Sequence, residues 1–332
     1  MTLLVRDEAD ILEHWLRYHL ARGIDVVIAT DHRSADGTTD ILRSYQRDGR
    51  VVLLREHGEV MQQAEWVTRM ARLAATEHGA DWVIASDADE FWWPRSASFA
   101  ELLEDVPSRF GVVRGLMRQF VFCPGEGSVF ERMTIRARPS ADLTSPYHAQ
   151  VKVVHRGVPD ASVTVGNHDV EGRGLRLIRD WFPFEVLHFP IRNERQLVDK
   201  FRRRATSPDG QHIVKALDRL ARGEQELLLA ETAFNAAALE AGLRAGSLVR
   251  DVRLRNALRS IATTGSLRSP TPPNLLDDAD LAEDATVALQ FDGAAVLARR
   301  CAELEHRAAV LEHRGSVRGR LAGRLSRRLS RP

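Results

Sequence analysis

The chain has 332 residues, 44% hydrophobic and 28% charged, with 47 basic and 46 acidic side chains. Such proportions exclude a wholly disordered chain, a collagen-like chain and a membrane-embedded bundle, and a formal net charge of +1 argues against a uniformly basic nucleic-acid binder. Cys123 and Cys301 give neither a disulfide framework nor a zinc spacing, no apolar run reaches the ~18–20 residues of a membrane span, and the opening Met1-Thr2-Leu3-Leu4-Val5-Arg6-Asp7-Glu8 is charged too early for a signal peptide, so a cytoplasmic protein is expected.

Thr2 to Val5 is a short apolar run that fits a buried strand. Ala9 to Ala21 sets Ile11, Leu12, Trp15, Leu16 and Leu20 at helical spacing, and Gly23 ends that helix. Val26-Val27-Ile28 predicts a second strand over 25–30, followed by the polar loop 31–38. Thr38 or Thr39 is expected to cap the next helix, which carries Ile41, Leu42 and Tyr45. A third strand is expected over 51–54, a longer helix over 61–78 and a fourth strand over 82–85. Apolar strands alternating with amphipathic helices indicate an α/β chain whose single mixed, mostly parallel sheet is flanked by helices. In such sheets ligands bind beyond the carboxyl ends of the strands, where the acidic loops after the second and fourth strands both lie.

After Phe91 the pattern changes to shorter strands, over 110–122, 133–138, 151–155 and 162–165, separated by Pro and Gly turns. The chain is helical and Arg-rich from Asn193, and Ala-rich and helical over 227–243. The expected organisation is a catalytic α/β domain over 1–205, a helical extension over 206–263, a linker over 264–280, an amphipathic helix over 281–313 and a basic tail over 314–332. Leu297, Cys301, Leu304, Ala308 and Leu311 form a heptad seam suited to self-association. In the tail, Leu321, Leu325 and Leu329 stand among arginines, as on helices that lie against the inner face of an anionic membrane.

Three acidic features carry chemistry. Asp87-Ala88-Asp89-Glu90 ends a buried strand, and carboxylates this close repel one another unless something compensates. Hard oxygen donors suit Mg²⁺ or Mn²⁺; the alternative is a solvated acidic turn. In Asp31-His32-Arg33-Ser34-Ala35-Asp36-Gly37-Thr38, Asp31 fits a nucleobase or ribose edge, or else the stretch is an ordinary strand-to-helix turn. Arg6-Asp7-Glu8-Ala9-Asp10 follows the first strand, where acids also favour a helix N-terminus.

Taken in order, these pieces resemble a group of bacterial family 2 glycosyltransferases. Leu4-Val5-Arg6-Asp7-Glu8-Ala9-Asp10-Ile11-Leu12-Glu13-His14-Trp15-Leu16-Arg17-Tyr18-His19 is similar to their opening segment, with Arg6-Asp7-Glu8 where Lys-Asn-Glu is usual. The 31–38 loop resembles their Asp-x-x-Ser-x-Asp-Gly-Thr loop, and Asp87-Ala88-Asp89-Glu90-Phe91 their Asp-x-Asp-Glu-Phe signature. Lys152, Gly166-Asn167-His168, the segment from Leu187-His188-Phe189-Pro190 to Leu197, and Lys200-Phe201 resemble elements of their second half. The resemblance implies a nucleotide-sugar transferase fold (GT-A-like, Rossmann-related), a nucleoside-diphosphate sugar donor and a glycan or lipid-linked acceptor of the cell envelope. It also implies a metal, Mn²⁺ or Mg²⁺, on Asp87 and Asp89, with His188 completing the metal shell or touching the diphosphate. Arg6, Asp7, Glu8, Asp31 and Asp36 fall on the donor side.

Glycosyl transfer needs a base for the acceptor hydroxyl, and in an inverting enzyme that base sits opposite the leaving group. Asp169 and Glu185 are both eligible, and the residues do not choose between them; Glu90 is expected to orient the site. The absence of a Gln-x-x-Arg-Trp motif argues for single-sugar transfer over polymer synthesis. Two other classes stay open: a metal-dependent nucleotidyltransferase, and a non-catalytic scaffold of the same fold.

Overall fold

Strand β1 (Thr2–Val5) is buried at every position, because helices cover both of its faces. Leu3 and Val5 point into one core with Ile11, Leu12, Trp15 and Leu16 of α1 (Ala9–Ala21). Leu4, one residue out of step, points into a second core with Trp66, Val67 and Met70 of α3 (Gln63–Thr76). Between those helices run β2 (Val27–His32), α2 (Thr38–Arg47) and β3 (Val51–Glu56). β1 pairs in parallel with β2 and with β4 (Trp82–Asp87), and β2 with β3.

The computed structural model describes residues 1–95, 98–140, 145, 147–179, 181–198, 222, 234–267, 283–284, 287–288 and 291. Two compact units divide the chain, Met1–Asp284 and Ala285–Pro332. Lys200, Phe201, most of the expected linker, nearly all of the 281–313 helix and the 314–332 tail lie outside the described residues.

The remaining strands of the main sheet are β5 (Glu90–Pro94), β6 (Val112–Gln119), β8 (Val151–Arg156) and β11 (Phe184–His188). The eight-stranded sheet has the order β3-β2-β1-β4-β8-β6-β11-β5. β8 and β5 run against their neighbours, and all other pairs are parallel. The fold is therefore mixed α/β around a single, mostly parallel sheet. Tight packing joins the outer strands: a Cβ on Gly115 would stand 2.7 Å from the Trp92 ring and 3.1 Å from Val186 Cγ2.

Around this sheet lie α4 (Phe99–Glu104), α5 (Val129–Arg132), β7 (Ile135–Ala137), β9 (Ser162–Val163), β10 (Val170–Glu171), α6 (Ala236–Ala245), β12 (Leu248–Arg250) and α7 (Arg253–Thr264). β12 pairs with β7, and α7 packs on α1, so this part of the expected helical extension belongs to the same unit as the sheet. Two details differ from the sequence reading. The aromatic run Glu90–Pro94 is an edge strand where only the end of a loop was expected. The residue capping α2 is Gly37, at φ 101°; of the two hydroxyls expected to cap, that of Thr38 is turned to the neighbouring loop and that of Thr39 donates to Asp31 Oδ2.

Candidate functional site

At the carboxyl edge of β1 and β2, two loops are stitched together. Asp7 N donates to Ser34 Oγ at 3.0 Å, Glu8 N to Thr38 Oγ1 at 2.9 Å, and Ala35 N to Asp7 Oδ1 at 2.9 Å. Asp36 Oδ2 accepts from Ala9 N at 3.0 Å, which gives α1 the cap its own Glu8 side chain does not supply. Asp36 Oδ1 accepts from both Thr38 N and Thr38 Oγ1. Burial raises the Asp36 pKa, but these donors outweigh it and the net shift is downward. Asp31 is 1% exposed; its oxygens accept from Ser34 N at 3.1 Å and Thr39 Oγ1 at 2.5 Å. Arg6 lies 3.6 Å from Asp7. Arg6, Asp7, Glu8 and Asp36 thus stand in two adjoining loops, with Asp31 at the end of β2, its carboxylate turned into the framework of the loop that follows.

The strand-end carboxylates are positioned by α1. Trp15 Nε1 donates to Glu90 O at 2.7 Å, Trp92 N to His19 Nε2 at 3.1 Å, and Tyr18 hydroxyl to Trp92 O at 3.1 Å. These bonds satisfy the edge of β5 that has no neighbouring strand and fix Glu90. The bond from Trp92 N requires a neutral His19, whose Nδ1–H donates to Trp15 O at 2.9 Å. Burial, the largest influence, depresses the His19 pKa to about 3.

Lys152 on β8 reaches into this cluster, with Nζ 2.6 Å from Glu90 Oε1 and 3.1 Å from Asp87 Oδ2. Asp87 N also donates to Glu90 Oε2 at 3.1 Å. Burial opposes the Lys152 charge, but Asp87 and Glu90 outweigh it and hold the ammonium's pKa above the ordinary lysine value. Burial is also the largest influence on Glu90 and raises its pKa; the pull of Lys152 is only partly offsetting, and Asp87 and Asp89 raise it further.

Asp89, Glu90 and His188 each offer a ligand atom within 4.8 Å of the other two. His188 Nδ1 donates to Gln119 Oε1 at 2.7 Å, which leaves Nε2 directed toward Asp89 Oδ2, 3.7 Å away. A ring nitrogen with its tautomer fixed by an outer amide, beside two carboxylates, is a donor set that suits Mn²⁺ or a related divalent ion. The expected set was Asp87, Asp89 and His188. Glu90 stands in place of Asp87 in the converging triad, although Lys152 lies closer to Glu90, at 2.6 Å, than to Asp87, at 3.1 Å. Asp89 Oδ2 also lies 3.9 Å from Arg192 Nη1. Arg192 is fully buried and grips Asp10 through Nε and Nη2, each at 2.9 Å, and also Glu8. One guanidinium thus ties the 6–10 loop to the strand-end cluster.

The two expected bases part company. Residues alternate across a strand, so Glu185 stands on the opposite face of β11 from His188. There it meets Arg118 at 2.6 Å, Arg253 at 2.5 Å and Arg95 at 3.4 Å. Burial raises its pKa, but the three guanidiniums prevail and hold it well below the ordinary carboxylate range. Placed away from the cluster and stabilised as an anion, Glu185 is not a base for this site. Asp169 is exposed, two residues beyond Asn167, and its Oδ1 accepts from Val170 N at 2.9 Å. In sequence Trp15 read as part of a helix face, and Trp15, Tyr18 and His19 as part of the family-like opening segment, without a positioning role, and Gln119 gave no signal.

No family model matches this chain, and no curated protein matches it. Among solved structures it is similar to S. aureus TarS residues 1–349 in complex with UDP-GlcNAc, at 10% identity and a TM-score of 0.34, covering 64% of this chain and 68% of that one. The same protein with UDP gives 12% identity and a TM-score of 0.33, over 64% of this chain and 67% of that one. A 4-diphosphocytidyl-2C-methyl-D-erythritol synthase gives 14% and 0.27, over 47% and 72%.

Proposed function

We propose that this chain is a non-processive, inverting glycosyltransferase of the GT-A type that moves one sugar from a nucleoside-diphosphate donor to a hydroxyl acceptor. The observation that carries this reading is the convergence of Asp89, Glu90 and His188 at the carboxyl edge of a mostly parallel sheet, beside the stitched 6–10 and 31–39 loops. Such an edge is where nucleotides bind in open α/β sheets.

In this reading Asp89 and His188 hold a divalent cation, with Glu90 and Asp87 around it, and the 6–10 and 31–36 loops receive the nucleoside. When bound, the cation would supply Lewis-acid stabilisation of the departing diphosphate. Lys152 keeps three clustered carboxylates compatible with burial before the donor arrives. Gln119 holds the His188 ring with Nε2 aimed at the cation position. The acceptor is a glycan or lipid-linked hydroxyl of the cell envelope, which the 314–332 tail would bring close by peripheral contact with the membrane's inner face; the 281–313 seam would support self-association.

The test is a panel of nucleotide sugars, each with and without Mn²⁺, assayed for the nucleotide released. Metal-dependent formation of free nucleoside diphosphate is the expected result. Release of pyrophosphate would instead assign a nucleotidyltransferase, and binding with no turnover on any acceptor a scaffold.

A further inference from the structure

His168 stands at the same sheet edge as the carboxylate cluster. β8 runs against β4, so its first residue, Val151, lies beside the carboxyl end of β4, where Asp87 is. His168 Nδ1 donates to Val151 O at 2.7 Å. That bond fixes the tautomer and leaves Nε2 as the ring's basic atom. The turn before it is built for the ring. Gly166 and Asn167 both take left-handed backbone, at φ 77° and 60°, and a Cβ on Gly166 would stand 2.6 Å from His168 Nε2. Only glycine leaves that room.

The residue is exposed overall, while its ring is crowded by this turn. The charged groups acting on it are Lys152, Asp87 and His188. Desolvation, the largest influence, lowers its pKa against the raising pull of the Val151 carbonyl. Neither Lys152, which is fully engaged with Asp87 and Glu90, nor Glu185, on the far face, can take a proton here. Asp169 has its backbone folded into a turn with Thr164.

We infer that His168 is the base that takes the acceptor's hydroxyl proton, an inference that rests on the transfer reaction proposed above. The acceptor oxygen bonds to the anomeric carbon, and the bond from that carbon to the diphosphate oxygen breaks with its electron pair leaving on the diphosphate. The acceptor's proton passes to His168 Nε2.

The test compares wild type, His168→Ala and His168→Gln, using Mn²⁺ with the nucleotide sugar that wild type turns over. H168Q keeps side-chain bulk above Gly166, so agreement between the two variants separates chemistry from packing. Both are expected to lower kcat for transfer by about 10²–10⁴-fold while donor affinity by calorimetry stays within about threefold. Imidazole is expected to restore part of the rate to H168A and none to wild type. Transfer by H168A near the wild-type rate overturns the assignment, as does loss of donor affinity in step with rate. Loss of transfer in Asp169→Asn with H168A active would move the base to Asp169. A wild-type chain that neither binds nor turns over any nucleotide sugar overturns the transferase reading, and this inference with it.

Discussion

The Lys152 ammonium stands 2.6 Å from Glu90 Oε1, with the two side chains 3% and 1% exposed. A buried pair of this kind contributes little net stability when whole, but removing one partner strands the other's charge away from water. Lys152→Met should therefore cost about 3–5 kcal/mol, read as a fall in the urea midpoint of the metal-free chain. K152M/E90Q should cost less than the sum of the single changes. Additive costs would show that the two groups do not share one electrostatic unit.

His188 and Gln119 give a second expectation. If Gln119 fixes the imidazole tautomer, Gln119→Leu should weaken Mn²⁺ binding by about 10–100-fold without removing a ligand. His188→Ala and Asp89→Asn should weaken it further, while Asp87→Asn should act less than Asp89→Asn because Asp87 lies outside the group that converges with His188. Titration calorimetry with Mn²⁺ and a nucleoside diphosphate measures all four. Equal loss in D87N and D89N would return Asp87 to the ligand set.

The stitched loops separate stability from binding. Asp36→Ala removes the carboxylate that caps α1 and should cost about 0.5–2 kcal/mol by chemical denaturation. Asp31→Ala should also weaken competition by free nucleoside diphosphate if its carboxylate contributes to the nucleoside side. Competition unchanged in D31A, with stability lowered, would reduce Asp31 to a framework residue of the loop.

His19 sets a pH dependence. Its folded pKa, about 3, lies below the ordinary histidine value of about 6.5. The unfolded chain therefore binds the extra proton first. The stability this residue protects is full above about pH 6.5 and falls as pH drops toward 3, by several kcal/mol across the window. His19→Gln should flatten that part of the stability–pH curve while lowering stability at neutral pH, measured as urea midpoints from pH 7.5 to 4. A curve of unchanged slope would remove His19 as its source.

The first half of the sheet was legible because its elements are bounded locally. α1 runs over Ala9–Ala21 as its apolar spacing indicates, and β1 over Thr2–Val5. The second half depends on distant partners. Phe91-Trp92-Trp93 follows an acidic turn directly, and nothing local says that it pairs with residues 184–188. The acidic cluster was readable as a concentration of carboxylates, but which two converge with His188 depends on the pairing of β5 with β11. The misplacement of Glu185 could have been read from alternation alone. Once His188 is taken to face the site, a residue three positions earlier on the same strand faces away from it. His168 was visible only as part of a Gly-Asn-His sequence, since its role depends on a hydrogen bond to the start of another strand.

The course of the chain at Ala88 and Asp89 also bears on how the protein reaches its native state. The chain leaves β4 in the middle of the sheet and enters β5 at its far edge, whose one strand neighbour is β11. On emergence from the ribosome, Glu90 therefore has no strand to pair with until His188 has been synthesised. Pairings between segments so far apart in sequence are slow to form. The first four strands and their helices can collapse early, while the convergence of Asp89, Glu90 and His188 is among the last features to be assembled. A chain arrested before residue 184 would hold a folded β1–β4 core without the Asp89–Glu90–His188 cluster, and pairing of β5 with β11 after refolding would lag behind recovery of helical signal.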